Sequence, residues 1–342
     1  MRKWIIPGIL TVLLLVGTML VLGFYFIEDL MNAALTEDPV TAASSSSAHS
    51  TTTSEITTEE ETTREETTKE ETSQQSIAKD DPVISGTHAF VYDLTSGSYL
   101  YTYGNRNEHI LPASITKLFS AYVALQYMDL DTIVTAGEEV NWIDPLSSRA
   151  WMAQGQRISV KHLVQGMIIP SGNDAAYILA VAAGRKISGD PKMSARAACD
   201  TFVAEMNRQA AIFNLTGTHF MNPDGIDEDG HYTTLTDLVA IGQLALRTPA
   251  IREAAAINYI EVTFASGQSV EWSNSNKLIR TSYPGYYQED ACGLKTGSTK
   301  GAGNCLLSAF KKGDRYLLIC VMGCPENDGR FDDTIALYKH FQ

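Results

Sequence analysis

The stretch Pro112-Ala113-Ser114-Ile115-Thr116-Lys117-Leu118-Phe119-Ser120-Ala121-Tyr122-Val123-Ala124-Leu125 decides how the folded part of this chain is read. Leu118, Phe119, Tyr122 and Leu125 recur at helical spacing, which predicts a helix over about 114–128 with one buried face. Pro112 stands two residues ahead, so Ser114 falls at the helix start and Lys117 about one turn on, on the same face. A serine hydroxyl is a poor nucleophile until a nearby base takes its proton. A lysine can be that base only as the neutral amine. A desolvated site at a helix N-terminus, with a second cation nearby, pushes its pKa down. The plainer alternative makes Ser114 a helix N-cap, a role serine fills often. The spacing alone decides nothing, because Ser76-Ile77-Ala78-Lys79 and Ser308-Ala309-Phe310-Lys311 share it. The first lies in a low-complexity tract. The second crosses the end of a predicted strand, where positions three apart face opposite sides.

Two further elements carry chemistry. Ser171-Gly172-Asn173 follows Pro170 in a tight connection between predicted helices, and taken alone it is ordinary turn chemistry. Lys295-Thr296-Gly297 occurs once, near the end of a predicted strand and just before Ser298. Gly297 would let a substrate backbone lie close, while Lys295 and Thr296 offer a charge and a hydroxyl to a carboxylate. The alternative is a strand edge protected by lysine. Ser171 comes 57 residues after Ser114, and Lys295 a further 124 residues on. The order S-x-x-K, S-D-N and K-T-G is the signature of class A β-lactamases and penicillin-binding proteins, and this chain carries it with Gly172 in place of the Asp.

Around these motifs the composition is that of a folded body from Pro82 onward. Val91–Leu94 and Ser98–Tyr101, joined through Thr95-Ser96-Gly97, predict a β-hairpin. Further helices are predicted near 159–168, 173–184, 194–213 and 234–246, and a last one near 331–341. Strands are predicted around 258–265, 268–273, 291–296, 303–310 and 315–322. Strands at both ends with helices between indicate an α/β domain of the α+β kind, a mixed sheet with helices segregated into layers.

The residues before Pro82 read differently. No charged residue occurs from Trp4 to Ile27, long enough for a helix to cross a hydrocarbon core of about 30 Å. Arg2 and Lys3 precede this run and Glu28 and Asp29 follow it, which places the N-terminus in the cytoplasm and the remainder outside. We expect a cytoplasmic tip (1–3), a retained transmembrane helix (4–27), a disordered acidic spacer (28–81) and one catalytic domain (82–342). Cleavage of the N-terminal segment is the competing reading, with Val40-Thr41-Ala42 as a distant site. Residues 36–81 hold twelve acids against three bases, and a Glu-Glu-Thr-Thr unit recurs from Glu60. Such a tract cannot bury enough surface to order itself. The net charge of −14 is concentrated there, and the mildly acidic body is a poor partner for nucleic acid. Five cysteines (Cys199, Cys292, Cys305, Cys320, Cys324) show no metal-ligand spacing. Buried free thiols are expected; a hairpin turning at Lys312-Gly313 would instead set Cys305 opposite Cys320, within reach of a disulfide.

The motifs together resemble the serine D-Ala-D-Ala carboxypeptidases, the low-molecular-weight penicillin-binding proteins, from about residue 85 to 342. Pro112–Leu118, Ser171–Ala176, Thr218–Gly225, Asn274–Leu278 and Gly293–Thr299 all carry the likeness. The resemblance implies a DD-peptidase/β-lactamase-like fold. That fold has a mostly antiparallel sheet covered by helices, and a helical subregion holding the Ser114 and Ser171 motifs. It further implies that Ser114 is acylated by the penultimate D-alanine of a peptidoglycan stem peptide, with Lys117 accepting its proton. Ser171 would relay a proton to the leaving amine. Asn173 would orient Lys117 and hold the substrate amide, and Lys295 and Thr296, with Gly297 beside them, would bind the terminal carboxylate. The backbone N–H groups of Ser114 and Ser298 would form the oxyanion hole. No metal or organic cofactor is implied, β-lactams would be covalent inhibitors, and a monomer is expected. His231 and Asp237 also match the family and are read as structural. The chain ends near where a catalytic domain should end, so the small second domain of many relatives is not expected. Three rivals remain. A β-lactamase is disfavoured because no Glu-x-x-Leu-Asn element lies between residues 174 and 290. A DD-endopeptidase would use the same motifs. A non-turnover sensor of β-lactams or wall fragments is disfavoured by the short segment before Trp4.

Overall fold

The structure, a computed structural model, describes residues 80–342, which fall in the second of two units divided between Glu71 and Thr72. The expected tip, transmembrane helix and all of the spacer but Asp80 and Asp81 lie outside the described residues. Among the described residues no helix is long and apolar enough to cross a membrane.

The body opens with β1 (His88–Asp93) and β2 (Ser98–Tyr103). Their turn forms because the Asp93 carboxylate accepts the N–H groups of Thr95 and Ser96, and Gly97 takes a φ of +70°. A 3-10 turn (Ala113–Ile115) leads into α1 (Thr116–Leu125). A small antiparallel pair, β3 (Ile133–Thr135) and β4 (Arg157–Ser159), precedes α2 (Val160–Ile168), α3 (Asn173–Ser188) and α4 (Ala195–Ile212). Then come α5 (Leu235–Arg247), α6 (Pro249–Ala256) and the hairpin β5 (Tyr259–Thr263) and β6 (Ser269–Ser273). The chain closes with β7 (Ala291–Thr299), β8 (Gly303–Lys312), β9 (Arg315–Cys324) and α7 (Gly329–Phe341).

Five of these strands form one sheet in the order β2-β1-β9-β8-β7. Every pairing in it is antiparallel, so the mixed sheet expected from the element order is not what forms. The reason is topological: β1–β2 and β7–β8–β9 are each joined by tight turns, which reverse the chain at every step, and β9 pairs antiparallel with β1. Alternation along β9 separates two cores. Leu318, Cys320 and Met322 face the layer of helices α1–α6, while Leu317, Ile319 and Val321 pack with Phe331, Leu337 and Tyr338 of α7. This burial on both faces explains why Leu317–Met322 is an unbroken apolar run.

The predicted helices and long strands lie close to their expected positions. The short β3 and β4 were not foreseen, because three residues hold too little periodicity. Helix α6 was also missed. Pro249 ends α5 and opens a second helix as its first residue, where a missing N–H costs nothing. The β8–β9 turn is Gly313-Asp314, one residue later than Lys312-Gly313, with Gly313 at φ +58°. That shift pairs Cys320 with Leu307, and a bulge between Asn304 and Leu306 displaces Cys305 further. No disulfide joins Cys305 and Cys320, and all five cysteines are free, with Cys199, Cys305, Cys320 and Cys324 buried.

Candidate active site

Ser114 sits on the 3-10 turn that precedes α1, not inside the helix itself. Ala113 before it takes φ +48°, a left-handed conformation costly for a residue with a Cβ. Two glycines pack closely against this turn. A Cβ on Gly225 would lie 1.9 Å from the Ala113 carbonyl oxygen. One on Gly297 would lie 2.9 Å from Ala113 Cβ and 3.2 Å from the Ser114 nitrogen. Strand β7 therefore runs hard against the Ser114 turn. Its other edge is unpaired, because β7 is the last strand of the sheet.

Lys117 is wholly buried. Its Nζ donates to Ser114 Oγ at 2.9 Å and to the backbone carbonyl of Asp224 at 2.7 Å. Burial brings the Lys117 pKa down to about 8, against the opposing pull of the Asp224 and Asp174 carboxylates. The sequence reading credited a second cation with part of this depression. The structure instead finds that repulsion at Lys295, which is held well below its ordinary range by burial first and then by the charges of Lys117 and Arg330. Burial likewise pushes the Asp224 carboxyl up.

Ser171 is buried in the turn between α2 and α3 at φ +64°. Gly172 N–H donates to Gly166 O, and Asn173 N–H donates to Ser148 O, so the turn is locked to the 148–152 segment. Asp174 completes that lock by accepting the N–H groups of Ala150 and Met152. Trp272 Nε1 donates to the Ala150 carbonyl from the opposite side. The structure does not bring the Asn173 side chain to Lys117: the amine's second bond goes to the Asp224 carbonyl. Asn173 Oδ1 is buried with no hydrogen-bond partner among the described residues.

On β7, Lys295 is fully buried and its Nζ donates to the Thr296 carbonyl at 2.9 Å. Thr296 Oγ1 shares a 2.6 Å hydrogen bond with Ser275 Oγ. Ser298 Oγ donates to Asn304 Oδ1 and accepts from Arg330 Nη1, which also donates to the Gly297 carbonyl. Arg330, on α7, thus braces the strand segment that flanks Ser114. His231 accepts the Met221 N–H on Nδ1, so its proton sits on Nε2 and faces Thr116 Oγ1 at 3.1 Å. Burial holds His231 down to about 4, a neutral ring tying the 221–231 segment to α1. Asp237 accepts from Gly217 N–H and Thr218 Oγ1.

Sequence reasoning passed over Asp224, Ser275 and Arg330. Asp224 acts here through its main-chain carbonyl, which leaves no trace in residue identity. Gly225 was the available signal, since a Cβ there would strike the Ala113 carbonyl and hold the 224–225 main chain off the Ser114 turn. Ser275 lay in the quoted Asn274–Leu278 stretch without an assigned part. Arg330 lies beyond all three motifs, and nothing in its own neighbourhood marked it.

Comparison with known proteins bears on the family and the fold. The Peptidase_S11 family, D-alanyl-D-alanine carboxypeptidase, matches residues 43–326. D-alanyl-D-alanine carboxypeptidase DacD of Salmonella typhimurium is 32% identical over 277 residues, covering 77% of this chain and 64% of the relative. The DacF enzyme of Bacillus subtilis is 30% identical over 240 residues, covering 69% of this chain and 56% of the relative. The chain thus spans less than two thirds of the length of these curated relatives. The crystal structure of the Streptomyces K15 DD-transpeptidase superposes with a TM-score of 0.69 at 27% identity, covering 76% of this chain and 98% of that one. The fold is therefore the α+β DD-peptidase fold, an antiparallel sheet with helices. By the match across residues 43–326, this chain belongs to the D-alanyl-D-alanine carboxypeptidase family, Peptidase_S11.

Proposed function

We propose that this protein is a serine D-Ala-D-Ala carboxypeptidase that removes the terminal D-alanine from peptidoglycan stem peptides through an acyl-enzyme, and that penicillins acylate the same serine. The observation that carries the reading is the 2.9 Å bond between Lys117 Nζ and Ser114 Oγ, made by a buried amine brought down to about 8. With that pKa about a tenth of the amine is neutral at pH 7, against well under a thousandth for an ordinary lysine, and it lies within reach of the hydroxyl it would activate.

In this reading Lys117 takes the Ser114 proton while Oγ bonds to the carbonyl carbon of the penultimate D-alanine. The N–H groups of Ser114 and Ser298 receive the developing oxyanion, and the approach of β7 to the Ser114 nitrogen supports that pairing. The C–N bond then breaks, and Ser171 relays the proton that Lys117 took to the departing D-alanine amine, which leaves Lys117 neutral again. Asn173 holds the substrate amide, and Thr296 donates to the terminal carboxylate. Lys295, buried with its Nζ on the Thr296 carbonyl, stands at the same carboxylate-binding end. Water then adds to the acyl carbon and Ser114 regains its proton. The charge-free run before Glu28 supports a membrane-tethered enzyme acting outside the cell membrane.

The test is to incubate the full chain with a fluorescent penicillin and with a D-Ala-D-Ala pentapeptide. Covalent labelling at Ser114 and release of D-alanine are expected, and both vanish in Ser114→Ala. Labelling without D-alanine release would make the protein a sensor. Fast release of hydrolysed penicillin would make it a β-lactamase, and cleavage of cross-linked dimers in preference to the pentapeptide an endopeptidase.

A further inference from the structure

We infer that Ser275 is a positioning residue of the carboxylate-binding end of the site, orienting the Thr296 hydroxyl toward the terminal carboxylate of the substrate. This rests on the DD-peptidase reading above and extends it to a residue outside the three motifs.

The geometry of Asn274-Ser275-Asn276 isolates Ser275. Asn274 and Asn276 are almost wholly buried. The Asn274 amide donates to the carbonyls of Ala255 and Ile257, and its Oδ1 accepts the Asn276 N–H. Asn276 Oδ1 in turn accepts the Leu278 N–H. Both flanking side chains are thereby tied into the interior. Ser275 between them is half-buried, and its Oγ meets Thr296 Oγ1 at 2.6 Å. Its own N–H donates to the Ile169 carbonyl at 3.0 Å, two residues before Ser171. Ser275 therefore spans the floor of the site, fixed by main chain to the Ser171 wall and by side chain to the β7 wall.

Proton arithmetic gives this contact its consequence. A hydroxyl has one proton to donate. To hold a carboxylate, Thr296 must donate that proton outward, so it must accept from its neighbour. Ser275 is the side-chain hydroxyl at Thr296 Oγ1, and by donating there it leaves the Thr296 proton pointing at the substrate. Lys295 does not replace this contact, because its Nζ is turned onto the Thr296 carbonyl below the surface. The carboxylate end is then a hydroxyl pair backed by the buried Lys295 amine. Without Ser275 the Thr296 proton is free to rotate, and a bond to a charged acceptor is weakened.

The experiment compares the full chain with Ser275→Ala and Ser275→Thr on three probes. The first is a D-Ala-D-Ala peptide, the second a penicillin, and the third an acylaminomethyl boronic acid without a carboxylate. Ser275→Ala is expected to raise KM for the peptide about tenfold with little change in kcat, and to slow penicillin acylation by a similar factor. Boronate affinity should stay within about twofold, because that probe asks only for Ser114 and the oxyanion donors. Ser275→Thr, which keeps the hydroxyl, should recover most of the loss. An unchanged kcat/KM for the peptide in Ser275→Ala overturns the assignment. So does an equal loss on boronate and peptide, which would mark a structural collapse of the floor. If the unmodified chain neither releases D-alanine nor is labelled at Ser114, the DD-peptidase reading itself fails, independently of either variant.

Discussion

Lys117 provides the sharpest prediction, because its surroundings set a number. Burial brings its pKa from an ordinary 10.5 to about 8, a bias against the ammonium form of about 3 kcal/mol. The neutral amine is the active base, so acylation should rise with pH and level off above about 8. About one hundredth of the lysine is neutral at pH 6 and about half at pH 8, which predicts a rise of about fiftyfold between them. The assay is the second-order rate of labelling by a fluorescent penicillin, followed at fixed ionic strength from pH 6 to 9.5. His231, held down to about 4, stays neutral throughout and cannot supply the inflection. Lys117→Arg should lose about 10²–10⁴ in rate and the inflection with it, since a guanidinium does not deprotonate in this range. A flat profile in the parent chain, or an inflection that survives Lys117→Arg, would refute the assignment of Lys117 as base.

Gly297→Ala places a methyl 2.9 Å from Ala113 Cβ and 3.2 Å from the Ser114 nitrogen, so β7 must move away from the nucleophile. Penicillin labelling should fall by about 10²-fold with the circular dichroism spectrum unchanged. Asp174→Asn turns one of two accepting oxygens into a donor facing the N–H groups of Ala150 or Met152. The cost of about 1–3 kcal/mol should appear as a melting point lower by about 5 °C in calorimetry. All five cysteines should titrate as thiols once the chain is denatured without reductant, and the four buried ones should resist modification before that. A count of three thiols would reveal the disulfide that the β8–β9 register argues against.

Much of the fold was legible because burial writes itself into local patterns. The apolar stripe of α1 and the double-sided run Leu317–Met322 both state which faces must leave water. The Asp93–Gly97 turn is chemistry confined to five residues. Boundaries and registers were less legible. One residue of difference in a turn moved Cys320 from Cys305 to Leu307, and no local signal chose between Lys312-Gly313 and Gly313-Asp314. Likewise Ser308 is buried within β8 while Lys311 on the same strand is exposed, which separates that serine from its lysine.

By itself the sequence determined the chemical inventory: a serine and lysine one turn apart, a tight turn with an asparagine, and a strand carrying Lys295-Thr296-Gly297 near its end. Residue types and short spacings suffice for that, because a helical turn and a strand are local objects. Only the tertiary structure decided how the inventory is wired. It hung the Lys117 amine on the Asp224 carbonyl instead of the Asn173 side chain, turned Lys295 inward, and set Ser275 and Arg330 behind β7. These contacts join segments far apart in the chain, and several run through backbone atoms that every residue shares. Their geometry is settled by close packing around Gly225 and Gly297, where there is room for main chain and none for a Cβ.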